Sequence, residues 1–508
     1  MSEDMQEGRN AVLIDDKDNV VIAIYPLKAG DEVRYPAREG GLAKFVATED
    51  IPLFHKIARS DIAAGQNVVK YGEFIGVATR DIKRGQHVHT QNCESSDDLE
   101  GVAVEDVASA SERKAVSTKC TRTFMGYRRS DGQVGIRNHV LILSTSICAS
   151  DTTERIARSV DGCVTFHNQN GCSQVNIDQQ MTVDTLAGLA ANPNIYSVLA
   201  VSLGCEGCQN DLVVDAIAKR TNKEVRTLII QEVGGSIRAV EEGTRIAREL
   251  VREASLCERE ECGVDELIFG TNCGGSDTSS GLGSNPLIGE VSDWMVAQGA
   301  TTVLCETPEL FGGEHILARR AATPEVGEQV LKIVRDYEKY VQMFGAQMRE
   351  GNPSPGNMAG GLTTLEEKSL GCIHKAGHST INAVYPYAAH IASHQGLVVM
   401  DTPGNDPSSV GGIIAGGCQL VVFSTGLGTP TGNAIAPVLR LTANGRTART
   451  MADNIDFDAQ ATIYGPQSME ELRDELIDQI IRVCNGEPTC AEALGYTETA
   501  LPHLCNYM

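Results

Sequence analysis

The feature that most constrains this chain is a change in hydrophobic period near Phe124. Upstream, apolar and polar residues alternate over short stretches such as VVIAIYPL, NVVKYGEFIGVA and IKRGQHVHT, with turn signals such as Lys28-Ala29-Gly30-Asp31 between them. A period of two puts one face of each segment in a core and the other in water, which specifies short strands. Residues 8–92 are therefore expected to form a compact all-β module. Downstream, apolar runs such as HVLILSTSI (139–147), YSVLAVSLG (196–204), ELIFGTNCGG, TTVLCETPEL, GLVVMDTPG and CQLVVFSTGLG are separated by amphipathic stretches such as DTTERIARSV and DLVVDAIAKR. Strands apolar on both faces need cover on both, and intervening helices supply it, so this part is α/β with a mostly parallel sheet. Residues 93–122 are small and charged without a sustained period and read as a linker, which would make the first module a tethered appendage able to close over a site elsewhere. The charged stretch CEREECGVDE separates a middle α/β domain, 123–262, from a C-terminal one, 263–508. The length of 508 residues allows roughly three domains.

Charge narrows the partners. Asp and Glu number 67 against 43 Lys and Arg, a formal net charge of -24. Such a surface repels nucleic acid and anionic lipid, so neither is an expected partner. The N-terminus lacks a signal peptide's basic start and apolar core, and no apolar run reaches the roughly 18 residues of a membrane span. A cytoplasmic protein with reduced thiols is expected. An acidic substrate would then need a local cationic centre, either Lys, Arg or a bound metal.

Parallel sheets bind ligands beyond the carboxyl ends of their strands, and the polar loops here fall at those ends. Three of them place a cysteine beside glycine with His or carboxylate near: His167-Asn168 before Asn170-Gly171-Cys172, then Gly204-Cys205-Glu206-Gly207-Cys208, then Asn272-Cys273-Gly274-Gly275-Ser276-Asp277. Most of the sixteen cysteines are read as small buried hydrophobes, but these sit where a ligand would be. Cys205 and Cys208 could equally be a redox pair, and no second C-x-x-C supports a zinc ribbon. Glu306 and His315 in CETPELFGGEH suit a divalent iron, manganese or zinc site, against the plainer readings of a helix-cap Glu and a surface His. The segment 351–361, GNPSPGNMAGG, has too much Gly, Pro and Asn for a helix and reads as a substrate-covering loop or a linker. The following LTTLEEKSLGCIHKAGHS brings Lys368 and Lys375 as local cations, and FSTGLGTPTGN offers backbone amides and hydroxyls without Walker spacing. In the β-module, His55 and Lys56 follow a strand, while His87 and His89, two apart, share one strand face. That arrangement suits metal binding, base chemistry at a closing interface, or solvated edge-strand histidines.

Taken together, HKIARSDIAAGQNVVKYGEFIG, GQHVHTQN, GYRRSDGQVGIRN, GCEGCQ, CGGSD, CETPELFGGEH, NPSPGNMAGGLTTLEEKSLGC and STGLGTPTGN make the chain resemble the altronate and galactarate dehydratase family along nearly its whole length. It looks closer to the altronate branch. The resemblance implies an N-terminal SAF-like β-clip domain, a linker, a middle α/β domain that mediates homodimerisation, and a C-terminal Rossmann-like domain with a parallel sheet. It also implies a divalent metal, Fe(II) first and Mn(II) as the alternative, and dehydration of a sugar acid, D-altronate to 2-dehydro-3-deoxy-D-gluconate. Galactarate dehydration and elimination of sulfite from sulfolactate are the neighbouring alternatives. An iron-sulfur or thiol-redox protein is the alternative of another class.

Residue type and motif position then suggest roles. Metal ligands are expected from Cys172, Cys205, Cys273, Glu306 and His315, and acid/base chemistry from His55 and His89 with Lys56 beside them. Substrate contacts are expected from Lys368, Lys375, Asn357, Thr425 and Thr429, with Lys56 as a further cation for the carboxylate. Two departures from the family pattern bear on the substrate and the chemistry. Many relatives carry arginine where this chain has Leu427, which would leave the second carboxylate of galactarate with less compensation. Cys208 is present where the galactarate branch commonly lacks it, which leaves a cluster or redox role open.

Overall fold

Turn-separated strands too short to stand alone build the N-terminal unit. The structure, a computed structural model, describes residues 8–37, 40–95 and 120–508, so most of the expected linker (96–119) lies outside the described residues. Strands Ala11–Val12, Val20–Ala23, Lys56–Ala58 and His87–Val88 form one antiparallel sheet, with Ile57 opposite His87 and Lys56 opposite Val88. Glu32–Pro36 pairs with Leu42–Val46, and Asn67–Lys70, Glu73–Ala78 and Cys93–Glu94 make a third small sheet. One face of this unit closes on its own residues, Val21, Ala23, Val33, Phe45 and Ile57 among them. The other face does not. Val20, Val68, Ile75, Ile82 and Val88 share a core with Leu304, Leu310, Leu365 and Leu370 of the C-terminal part. Each such buried aliphatic side chain contributes about 1.5–3 kcal/mol, so the module is docked by a continuous apolar seam rather than hanging free as a tethered appendage.

The middle unit is a four-stranded parallel sheet in the order Cys163–Val164, His139–Ser144, Ile195–Ser202, Val225–Ile229. Helices Ile147–Arg158 and Ser236–Ala254 cover one face through Ile156, Ile246 and Leu250. Helices Asn176–Ala191 and Asn210–Ala218 lie on the other, in one core with Val410, Ile413 and Ile414 of the C-terminal helix Asp406–Ala415. A small antiparallel sheet joins the units, because Thr123–Arg128 pairs with both Val134–Gly135 and Glu260–Gly263.

Seven parallel strands form the C-terminal sheet, in the order Ile381–Tyr385, Gly396–Met400, Thr301–Leu304, Ile268–Cys273, Leu420–Ser424, Val438–Thr442, Phe457–Asp458. Ile268–Cys273 and Thr301–Leu304 are buried along their whole length, polar Thr271, Asn272, Thr301 and Thr302 included, as a sheet covered on both faces requires. After Ile268–Cys273 the chain builds outward on one side through Thr301–Leu304, and later returns to build on the other side with Leu420–Ser424. That reversal is a topological switch point, and the crevice beyond it lies at Cys273, Glu306 and Thr425. Segment 351–361 departs from the expected loop: it contains a short helix, Pro355–Ala359. Proline at its first position already has helical φ, and Ser354 and Asn357 close a capping box, so a Pro/Asn-rich stretch that cannot make a long helix still makes one turn.

Candidate active site

At the switch point four buried side chains converge. Cys273 ends its strand, Glu306 follows the neighbouring one, and Cys372 and Lys375 come from the end of helix Leu365–Ile373 and the turn after it. Lys375 Nζ lies 2.9 Å from Cys273 Sγ and 3.1 Å from Cys372 Sγ, and it also donates to Glu306 Oε2. The two sulfurs are 3.8 Å apart. A hydrogen bond from Cys372 and the Lys375 ammonium bring the Cys273 thiol down to about 5, against the effect of burial. Burial works against charge on Lys375 too, yet Cys273, Cys372 and Glu306 around it raise it well above the usual lysine value. Glu306 has φ 71°, a left-handed conformation that costs a non-glycine residue free energy and recurs at functional sites. Asp406 stands beside the group, pushed up to about 7 by burial and by the nearby Cys273 and Glu309. It packs where any side chain at Gly274 would go, since a Cβ there would lie 2.2 Å from Asp406 Oδ2.

A cavity of about 410 Å³ opens next to this group, lined by Glu309, Lys368, Asn352, Ser354, Asn357 and Asn405 among others. Lys368 Nζ holds Glu309 Oε1 at 2.8 Å and Asn352 Oδ1 at 2.7 Å. Glu309 Oε2 is buried with no partner, so it remains able to accept from a hydroxyl.

The second convergence lies where the β-module meets segment 351–361. His55, His87 and His89 stand with ring centroids 4.7–5.5 Å apart. His55 Nδ1 is 2.9 Å from His87 Nε2, and His55 Nε2 is 3.2 Å from the Ala359 carbonyl oxygen. Burial lowers all three imidazoles, His87 to about 4 and His89 to about 3, which leaves them neutral at neutral pH. Behind them Lys56 donates to the Gly361 carbonyl and to both oxygens of Glu367 (2.8–3.0 Å), and Lys70 reaches the same carboxylate at 2.8 Å. Gly361, with φ +98°, permits this approach, because a Cβ there would sit 2.3 Å from the Phe54 carbonyl oxygen. Phe54 itself has φ 66°, a second left-handed residue at the seam.

The structure thus divides the expected site residues. Cys273, Glu306 and Lys375 meet at the switch point, Lys368 and Asn357 line the cavity, and His55, His89 and Lys56 gather at the module interface. Asn357 also donates to the Ser276 carbonyl at 2.6 Å, tying its loop to the CGGSD turn. Thr425 Oγ1 accepts from the amides of Gly428 and Thr429, so its hydroxyl shapes its own turn, while Thr429 packs near Gly275. The five expected metal ligands do not converge. Cys172 and Cys205 belong to the middle domain's own sheet, where Cys205 Sγ accepts from Gln231 at 3.5 Å, and His315 faces Glu73 of the β-module at 3.8 Å. Among the described residues, the side chains that come together as metal ligands would are Cys273–Glu306–Cys372 and His55–His87–His89. The first set does not fit a divalent ion while Lys375 stays in place, because its ammonium already donates to all three members.

Several members of the site were not reached from the sequence. Cys372 lies inside an unremarkable helix, Glu309 and Asp406 look like surface acids, and Glu367 reads as one more charge in LEEK. The only sequence-level mark of Cys372, Glu309 and Glu367 is closeness to Glu306, Lys368 and Lys375, and Asp406 lacks even that.

Known proteins carry the same arrangement along the chain. Residues 264–506 match the family described as D-galactarate/Altronate dehydratase, C-terminal; residues 126–255 match D-galactarate dehydratase/Altronate hydrolase, second domain; residues 9–96 match the Altronate/galactarate dehydratase SAF domain. The chain is 36% identical over 495 residues to the altronate dehydratase of Escherichia coli, covering 95% of this chain and 97% of that protein. It is 33% identical over 503 residues to the altronate dehydratase of Bacillus subtilis, covering 97% and 98%. It is 38% identical over 385 residues to the beta subunit of (2R)-sulfolactate sulfo-lyase from Chromohalobacter salexigens, covering 75% of this chain and 98% of that subunit. With its three regions matched in order and near-complete coverage of these relatives, the chain belongs to the altronate/galactarate dehydratase family.

Proposed function

We propose that this chain is a hydro-lyase that removes water from a sugar acid in a reducing cytoplasm, with D-altronate as its substrate and 2-dehydro-3-deoxy-D-gluconate as its product. The observation that carries this reading is the double role of segment 351–361. Asn352, Ser354 and Asn357 wall the cavity, and Ala359 holds His55 of the imidazole group. Sugar-acid binding and proton transfer are thereby joined in one loop.

The reaction breaks the C2–H bond and the C3–O bond of a 2,3-dihydroxy acid. The proton goes to a base, the C–H electron pair becomes the C2–C3 double bond, and the C3 hydroxyl leaves with its bonding pair and a proton as water. The enol then tautomerises to the 2-keto-3-deoxy acid. The neutral imidazole group supplies the proton-accepting centre, and Lys368 supplies the cation that the acidic chain otherwise lacks near a carboxylate. Glu309 Oε2 takes a hydrogen bond from a substrate hydroxyl. A divalent ion, Fe(II) first and Mn(II) as the alternative, would add charge stabilisation of the enolate and of the leaving hydroxide.

Leu427 favours an acid with one carboxylate over a diacid. It lies against segment 351–361, where a Cβ on Gly356 would meet Leu427 Cδ1 at 3.3 Å, and brings no charge to that wall. The protein acts as a homodimer through its middle domain. An anaerobic panel of D-altronate, galactarate and sulfolactate, followed by keto-acid and sulfite formation, tests this reading. Altronate should be turned over fastest, and Leu427→Arg should move the preference toward galactarate. Sulfite release exceeding keto-acid formation from altronate would replace the reading with the sulfo-lyase one.

A further inference from the structure

The imidazole group at the module interface, with His55 buried and His87 and His89 half-buried, has the geometry of a metal site. The register that sets Lys56 opposite Val88 and Ile57 opposite His87 carries His55 to the position across from His89. All three rings therefore lie on one side of the strand pair, with one ligand nitrogen from each within 4.8 Å of the others. His55 Nε2 faces a carbonyl oxygen, Ala359 O at 3.2 Å, and so carries the ring hydrogen. His55 Nδ1 then turns a lone pair into the group, toward His87 Nε2. One ring nitrogen pinned by a backbone carbonyl while the other faces inward is how ligating histidines are held.

Two further observations point to an occupant. His89 Nδ1 is buried without any hydrogen-bond partner, a costly state unless something binds there. The neighbouring cation is also committed elsewhere, because Lys56 is held by Glu367 and the Gly361 carbonyl. This is the reverse of the thiol group, whose centre Lys375 already fills.

We propose that His55, His87 and His89 bind one divalent transition-metal ion, and that this site, rather than Cys273–Glu306–Cys372, is where the protein holds it. Three imidazoles without a thiolate suit zinc, iron(II) or cobalt(II). A site with three protein ligands leaves positions on the ion for oxygen donors, here the hydroxyl or carboxylate of the sugar acid. The Ala359 carbonyl comes from the C-terminal domain, so the site is complete only with the β-module docked. The inference rests on the reading of this interface as the reaction centre and revises one role in it: with their lone pairs on the ion, His55, His87 and His89 hold the metal in place of accepting the C2 proton. Its test reads binding independently of turnover.

The full chain, stripped of metal and titrated anaerobically with cobalt(II) alone, should take up one equivalent with weak visible ligand-field bands and no strong near-ultraviolet sulfur-to-cobalt band. His87→Ala and His89→Ala should weaken binding by on the order of 100-fold or more, while Cys273→Ser keeps it. His87→Cys guards against a variant that merely misfolds, because it should still bind and should gain the sulfur-to-cobalt band. Cobalt bound by wild type with that band already present, and lost in Cys273→Ser, overturns the site, as does wild type that is folded and binds no stoichiometric cobalt. Cobalt held by the imidazoles with no turnover of any sugar acid supports the site and ends the dehydratase reading instead.

Discussion

Cys273 shows how little of a side chain's chemistry is set by its type alone. The same thiol group would titrate near 8.5 in water, yet Cys372 and Lys375 bring it to about 5, while burial pushes Cys305, the next cysteine along the sheet edge, far above its usual value. A thiolate is therefore expected at neutral pH. The ultraviolet thiolate absorbance of wild type minus Cys273→Ser should titrate with a midpoint of about 5, and Lys375→Met should move that midpoint up by removing the stabilising cation. A difference midpoint near that of a free thiol in both proteins would show that the ammonium does not act on Cys273. Strand-end position beside glycine was enough to single out Cys273 from the sequence, and a cation near a carboxylate was enough for Lys375. Their meeting was not legible, because it depends on where a helix about a hundred residues later returns to the sheet edge.

At the level of elements, helix Leu365–Ile373 organises both convergences. Thr364 caps its start by accepting from the Glu367 amide at 3.2 Å, which orients Glu367 toward the β-module, and its far end presents Cys372 and leads to Lys375. Glu367 and Lys375 are separated by roughly 12 Å of helical rise. Burial works against the Glu367 charge, but Lys56 and Lys70 outweigh it and hold the carboxylate below its usual range. Glu367→Gln would leave two buried ammonium groups without their carboxylate, a loss of about 3–5 kcal/mol in denaturant unfolding. The pH dependence follows from the direction of the shift. With the folded value depressed, the stabilisation is fully present above the unfolded carboxylate range, about 4.3, and is lost as pH falls through the folded value. The stability gap between wild type and Glu367→Gln should accordingly be flat from pH 7 to about 5 and narrow in stronger acid; a gap that widens in acid would contradict the assignment. The strands and most helices of the α/β part were legible because burial on both faces leaves continuous apolar runs. The turn Pro355–Ala359 was not, since its capping box works on a segment too short to show any period.

The whole molecule separates what the sequence pattern seemed to group. Three Cys-Gly loops look alike, but two end strands of the middle sheet and one ends a strand of the C-terminal sheet, so Cys172 and Cys205 do not join Cys273. The β-module completes the C-terminal core instead of hanging from it, and its histidines meet segment 351–361 through that contact. The middle domain leaves Ile147, Ile177, Leu212 and Ile237 exposed, each within the first three residues of its helix, with Ile237 86% and Ile177 59% accessible. An apolar rim of this kind fits a second copy of the chain. On the proposed homodimer reading, wild type should sediment as a dimer and Ile177→Asp/Ile237→Asp as a monomer; a monomeric wild type would contradict that reading, and an unchanged dimer in the variant would move the interface elsewhere. The central claim, removal of the C2 proton and the C3 hydroxyl from a sugar acid, is met most directly by proton NMR of D-altronate with the Fe(II)-loaded protein under anaerobic conditions in D2O. The account predicts 2-dehydro-3-deoxy-D-gluconate carrying one solvent deuterium at C3. No keto acid, or a product whose C3 retains only substrate hydrogen, would contradict it.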